Sequence, residues 1–265
     1  MPLHPADLLP AYDLETRINL EYPGMRRDVL RGPDGAPKLV RFVRPAPERS
    51  FVNFHRLDDA EVDDAITAEM AFITENQLSY EWKVHGHDSP AGLGERLLAH
   101  GWKAQDPDAV MALDLNNAPA ALLEPVTADV RAITTREGLS DVIQVMTAVW
   151  GGNFDWITRR LGDHLEIPGY LDVYVAYADG APACAAWVYF LPGSQFASLW
   201  GGSTLAHLRG QGLYTAELAA RVQAARARGY RYLTIDAGDM SGPIVARHGF
   251  EALTTAISYN WPPET

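Results

Sequence analysis

The sequence predicts an α/β (α+β) protein of two related domains in tandem. Three observations carry that prediction. In the second half, stretches of period two and period 3.6 follow one another as an ordered series of strands and helices. The first half repeats part of the series, and the letters repeat with it. Leu98-Ala-His-Gly-Trp102 corresponds to Ala246-Arg-His-Gly-Phe250, each followed by a final strand. Between the halves, Leu115-Asn-Asn-Ala-Pro-Ala-Ala-Leu-Leu-Glu-Pro125 is small, proline-bounded and without alternation, as a linker is. The expected domains are residues 1–120 and 126–265.

In the second domain, residues 129–135 read as a strand. Residues 138–149 read as a helix, with Leu139, Val142, Ile143, Met146 and Val149 on one stripe. A second helix, 154–165, stops before Pro168. Strands at 172–178 and 183–190 flank the turn Ala178-Asp-Gly-Ala-Pro182, a hairpin signal. A strand at 196–204 leads toward a long helix, 213–228, with Leu218, Val222 and Ala225 on one face. That helix ends in Arg226, Arg228 and Gly229, the expected stop. A strand at 230–236, a short helix at 241–247 and a strand at 250–260 close the series. In the first domain, strands at 26–30 and 39–44 flank Gly32-Pro-Asp-Gly35, and a third follows at 51–56. A helix at 61–75 carries Val62, Ala65, Ile66, Met70 and Ile73. Then come a strand at 80–85, a helix at 93–100 and a strand at 109–115.

Composition narrows the function classes. With 265 residues, 47% of them apolar, the chain can bury about 70–75% of its unfolded surface and needs no covalent staple. Cys184 is the single cysteine, which excludes an internal disulfide and a zinc ribbon. Met1 to Pro10 lacks the basic and apolar regions of a signal peptide. No apolar run is long enough to span a membrane, so the expected location is the cytoplasm. Net charge is −12. Residues 1–124 hold 21 acids against 12 bases, and residues 125–265 hold 13 against 10. Such a surface argues against nucleic acid and attracts cationic small molecules.

The chemistry concentrates in Ser203-Thr-Leu-Ala-His-Leu-Arg-Gly-Gln-Gly-Leu-Tyr214, between a strand and the long helix. Gly210 and Gly212 permit a tight turn that exposes backbone N–H groups at the positive end of the helix, and Arg209 adds a permanent charge. Such a nest binds a diphosphate. A dinucleotide is disfavoured as the ligand. Thr215 stands where its fingerprint needs a third glycine, and residues 205–209 lengthen a turn that should be tight. An oxidoreductase reading falls with it.

With its loop Arg209-Gly-Gln-Gly212-Leu-Tyr214, the following long helix, the strand, and the short helix ending in Gly249-Phe250, the chain resembles the GNAT superfamily of acyl-CoA-dependent N-acyltransferases over residues 126–260. Residues 1–115 resemble a divergent second copy. The resemblance implies two tandem domains, each a mixed, mostly antiparallel central sheet flanked by helices. It implies acetyl-CoA as cosubstrate, without a metal, and a small-molecule or peptide amine as acceptor, in a monomer or homodimer. The strand 196–204 would splay from 230–236 to admit the pantetheine arm. Backbone around Thr204 and Leu205 would pair with that arm, and amides of Arg209, Gly210, Gln211, Gly212, Leu213 and Tyr214 would hold the pyrophosphate. The thioester would lie near Trp200 and Gly201. In the first copy, Leu57-Asp-Asp-Ala-Glu61 has no glycine; Asp58 and Asp59 are expected to cap the helix there and repel a diphosphate. One coenzyme site is expected.

The family's thiolate-protonating tyrosine falls at Val245 here, so the acid is absent, moved or replaced by water. Tyr189, Tyr214 and Ser241 are the substitutes on offer. Asp155, Glu166 and Asp236 are candidate bases near the acceptor cleft. Trp150, Trp156, Trp187, Trp200 and Tyr189 are candidates for lining it through cation–π contacts. Cys184 reads as core. His85-x-His87 lacks a third metal ligand, and His207 lies in the coenzyme loop. A non-catalytic acyl-CoA sensor is the alternative, favoured by Val245.

Overall fold

The computed structural model describes residues 4–44 and 48–262; residues 1–3, part of the stretch read against a signal peptide, lie outside the described residues. Contacts divide the chain into two units. The first holds residues 4–44, 48–111, 236–243 and 252–262, the second 112–235 and 244–251.

The first unit opens with α1 (Pro5–Tyr12), which continues as a π-helical turn, Asp13–Ile18. Neither was legible in the sequence, because Pro10 inside the segment removes a helical donor and argues against a helix. Strands β1 (Arg26–Arg31), β2 (Pro37–Val43) and β3 (Ser50–His55) are antiparallel neighbours. Then follow α2 (Val62–Glu75), β4 (Tyr80–His85), α3 (Leu93–Ala99) and the short β5 (Lys103–Ala104). β6 (Asp108–Asp114) starts in this unit and ends in the next. β3 and β4 are parallel, but only over Ser50↔Tyr80, Phe51↔Glu81 and Val52↔Trp82. The core gathers Ile66, Ile73, Trp82, Leu93, Leu97 and Trp102, all buried.

The second unit runs β7 (Val130–Ile133), α4 (Leu139–Trp150), α5 (Trp156–Leu165), β8 (Leu171–Ala178), β9 (Ala181–Phe190) and β10 (Phe196–Thr204). Next come α6 (Leu213–Ala227), β11 (Tyr232–Ala237) and α7 (Gly242–Arg247). β7 to β10 form an antiparallel meander. β10 and β11 are parallel over Phe196↔Tyr232, Ala197↔Leu233 and Ser198↔Thr234. Each unit is thus a mostly antiparallel sheet with one short parallel pair at the same place in its order. α6 buries Leu218, Val222 and Ala225, as its stripe requires, and each large apolar side chain there contributes about 1.5–3 kcal/mol. Gly229, at φ 80°, ends it, and Tyr230 N–H donates to Ala225 O over 3.1 Å.

The closing strands depart from the sequence division at 120 and 126. β12 (Glu251–Trp261), read as the end of the second domain, pairs with β4 in the first unit, from Ala256↔His85 to Trp261↔Tyr80. The end of β6, residues 112–114, belongs to the second unit, where Leu115 N–H donates to Arg231 O over 2.9 Å. Each unit is completed by a strand from the other half of the sequence.

Candidate functional site

After Ser198, β10 leaves its parallel ladder with β11 but runs on to Thr204, while β9 follows its other edge. The strand therefore presents one unladdered edge, as the resemblance implies. Opposite β9 its register slips between Trp200 and Ser203, the mark of a bulge at Gly201-Gly202. Both glycines are required by contact. Gly201 has φ +79°, and a Cβ there would enter the Trp187 ring; at Gly202 a Cβ would lie 2.8 Å from Tyr214 Cε2.

β10 leads through a 3₁₀ turn, Ala206–Leu208, to Arg209, Gly210, Gln211 and Gly212, and α6 begins at Leu213. Gly210 and Gly212 sit at φ +75° and +85°, and nothing lies within 4 Å of where their Cβ atoms would be. Backbone conformation demands the glycines, and the space before them is open. Gly212 provides no side-chain cap, and the first helical bond is Ala216 N–H to Gly212 O. The amides of Leu213, Tyr214 and Thr215 thus have no intrahelical acceptor and stand at the positive end of the helix. Arg209 is exposed, and its Nε donates to Thr204 O over 3.2 Å. His207 is exposed in the same loop and only its carbonyl is engaged, by Gln211. Leu205 departs from expectation: its N–H is spent on Ala183 O at 3.0 Å, so it has no amide to offer a ligand.

Beneath the loop lies a buried polar chain. Glu217, fully buried, accepts from Ala176 N–H at 3.1 Å and from the Cys184 thiol at 2.9 Å; Cys184 Sγ is 3.0 Å from Thr204 Oγ1. Burial pushes Glu217 up to about 7, against the pull of Arg221, Cys184 and Ala176. Burial also raises the Cys184 thiol, so it is no nucleophile. Arg221 is buried one turn on, its guanidinium 5.9 Å from the Tyr214 ring centre, with Nη2 unpartnered. Tyr214 packs under the bulge rather than standing as a free acid.

The candidate bases each have another partner. Glu166, at the exposed end of α5, pairs with Arg136 at 2.7 Å. Asp155 is exposed and exchanges hydrogen bonds with Asn153. Asp236 belongs to the first unit and pairs with Lys83; burial raises its pKa, but the lysine outweighs that and holds it below the ordinary value. Val245 is core, and Ser241 donates only to Gly238 O. Tyr189 is different: it is half-buried on β9, its hydroxyl 2.9 Å from His164 Nδ1 and its ring edge-on to Trp200 at 6.4 Å. His164 was missed in the sequence, although Ile157, Leu161 and His164 share one helical stripe. Trp156 and Trp187 contact each other at 6.5 Å, and Arg160 covers Trp156.

The first unit has the same strand divergence, filled from within. Just past the last parallel pair, Asn53 O accepts from Arg17 Nε at 3.0 Å, and Asn53 Nδ2 donates to Thr16 O. Arg17 is buried and paired with Asp13 at 2.6 Å and Asp88 at 2.8 Å. The π-helical turn thus occupies the backbone that the second unit leaves free on β10. Asp58 and Asp59 do not cap the helix as expected. Asp58 makes no side-chain cap bond and faces Lys38, while Asp59 pairs with Arg96 at 3.1 Å. His85 is buried, and His87 is hydrogen-bonded to Asp13 and Thr254. No group of metal-ligating side chains occurs among the described residues, and no described helix is long and apolar enough to cross a membrane.

No protein-family profile and no curated protein matches the chain. Solved structures do. A GCN5-related N-acetyltransferase from Kribbella flavida superposes at a TM-score of 0.70 with 19% identity, over 100% of this chain and 97% of that one. A GCN5-related N-acetyltransferase from Sphaerobacter thermophilus gives 0.63 and 15%, over 98% and 93%. A tandem GNAT protein from the clavulanic acid biosynthesis pathway gives 0.59 and 16%, over 94% and 87%. The chain has the fold of the GCN5-related N-acetyltransferases, carried twice.

Proposed function

We propose that this protein is an N-acetyltransferase that passes an acetyl group from acetyl-CoA directly to an amine, at one site in the second unit. The carrying observation is the glycine turn at the head of α6: two left-handed glycines with open space before them, at the foot of a strand with a free edge. That cradle fits a diphosphate, and the unladdered edge of β10 fits an extended amide-bearing arm, added as a strand would be. Arg209 pairs with a phosphate oxygen. The thioester supplies an electrophilic carbonyl and a good leaving group. The bulge at Gly201-Gly202 breaks the ladder with β9 and leaves backbone groups for that carbonyl. Tyr189 and His164 together take up the proton that the amine loses: the Tyr189 hydroxyl oxygen accepts it while the hydroxyl's own proton passes to His164 Nδ1; this role replaces Glu166, Asp155 and Asp236, whose partners lie elsewhere.

Calorimetric titration with acetyl-CoA checks the site and thiol release with an amine panel checks the reaction. One site per chain and amine-dependent thiol release are expected; two equivalent sites overturn the first part. Val245 in the core favours a second reading, a non-catalytic acyl-CoA sensor. Tight binding without turnover on any amine would favour it.

A further inference from the structure

Two tryptophans of the second unit are exposed. Trp150, at the end of α4, is 58% exposed and Trp200, on β10, is 46% exposed, whereas Trp187 is buried. Large aromatic surfaces in water call for an explanation when they are anchored to one strand on either side of a bulge. Both indoles are fixed by hydrogen bonds to the same strand. Trp200 Nε1 donates to Ser198 Oγ at 2.8 Å, and Trp150 Nε1 donates to Ser203 Oγ at 2.8 Å. Ser203 Oγ in turn donates to Gly201 O at 2.7 Å. The two anchoring serines bracket the Gly201-Gly202 bulge. With both N–H groups used, the indoles offer a ligand only their faces and apolar edges. Among the described residues, neither indole has a carboxylate partner.

We propose that Trp150 and Trp200 are the walls of the acceptor site and select an amine carried on a flat, apolar body, an arylalkylamine. The inference rests on the acyltransferase reading for the position of the acyl group, beside the bulge. An indole face attracts an ammonium through its quadrupole, and it stacks against another ring. Both attractions suit a charged amine on an aromatic body, and burying that body removes indole and ligand surface from water together. An aminosugar or a polyamine instead needs several hydrogen-bond acceptors or carboxylates. Here Ser203 Oγ accepts from Trp150 and donates to Gly201 O, and Ser198 Oγ accepts from Trp200. Tyr189, edge-on to Trp200 at 6.4 Å, adds one hydroxyl, bonded to His164 Nδ1, to the same aromatic cluster.

The experiment titrates the full chain, without coenzyme, with 2-phenylethylamine, 2-cyclohexylethylamine and spermidine, by calorimetry and by the ultraviolet difference spectrum of the indoles. Phenylethylamine should bind best and perturb the indole bands. Trp200→Ala and Trp150→Ala should each weaken it about tenfold, and Trp200→Phe much less, because a phenyl ring retains stacking and cation–π attraction. Circular dichroism confirms the fold, and the Phe variant carries the test where an Ala variant fails to fold. Spermidine binding tighter than phenylethylamine, or Ala variants that bind phenylethylamine as the wild type does, would overturn the proposal. Failure of acetyl-CoA to bind wild-type protein would instead count against the acyltransferase reading, since the amine titration needs no coenzyme.

Discussion

At the scale of single residues, the proposed coenzyme turn stands or falls on two glycines and one arginine. Gly212 has φ +85° and open space before it, so a side chain there is strained in the backbone and projects into the cradle. Gly212→Asp adds a negative charge where a diphosphate would sit. Acetyl-CoA binding should vanish in calorimetry while circular dichroism stays native; retained affinity would remove the turn from the site. Arg209 makes only a backbone contact, to Thr204 O, and its charge is free for a phosphate. Arg209→Ala should cost coenzyme A about 1–3 kcal/mol of affinity, as loss of one charge-assisted bond does. Dephosphorylated pantetheine should lose much less, and equal losses would place Arg209 elsewhere. The turn itself was legible in the sequence because left-handed backbone favours glycine, a local property. The partners of the acidic candidates were not legible. Glu166, Asp155 and Asp236 were selected for standing at element ends, and nothing local revealed Arg136, Asn153 or Lys83 as their partners.

At the scale of elements, hydrophobic period located most strands and helices, and β10 and β4 have the expected bounds. α1 and its π-helical continuation were lost because prolines and charges mask the period. On α6 the period held more than was taken from it. Glu217 and Arg221 share the stripe of Leu218, Val222 and Ala225, which places two charges in the core. Glu217 ties α6 to β8 through Ala176 and to β9 through Cys184, which reaches Thr204 at the end of β10. One carboxylate therefore ties the end of β10, which enters the glycine turn, to the helix that leaves it. Its pKa is raised by burial from the ordinary 4.5 to about 7, so the folded protein holds a proton that the unfolded chain has released between those values. Its contribution to stability is full below about pH 4.5 and is lost as pH rises through about 7. Thermal melts of wild type and Glu217→Gln, compared across that range, should show wild type gaining on the variant as pH falls. Parallel curves would mean that Glu217 stays charged in the fold.

At the scale of the whole chain, sequence order revealed the repeat but not which sheet each closing strand completes. A strand carries its period with it, and β12 satisfies the same alternation beside β4 as it would in its own half. The consequence is testable by truncation. A fragment of residues 125–265 keeps the coenzyme turn and β7 to β11. It loses residues 112–114 of β6 from its sheet, and Leu115, whose N–H pairs with Arg231 O. It also carries β12 without β4, the strand that takes up the edge from Ala256 to Trp261. Two strand edges and the apolar side chains of β12, Leu253 and Tyr259 among them, then face water. Exposed edges of this kind pair with other chains. The fragment should aggregate, and light scattering should report it. A longer fragment from residue 108 restores β6 but not β4, and it should aggregate as well. Coexpression of 1–124 with 125–265 supplies both missing strands, and it should yield a soluble complex that binds one acetyl-CoA, since Arg17 fills the strand divergence of the first unit. A soluble, monomeric 125–265 fragment with native circular dichroism would show that the second unit does not need the strand it receives.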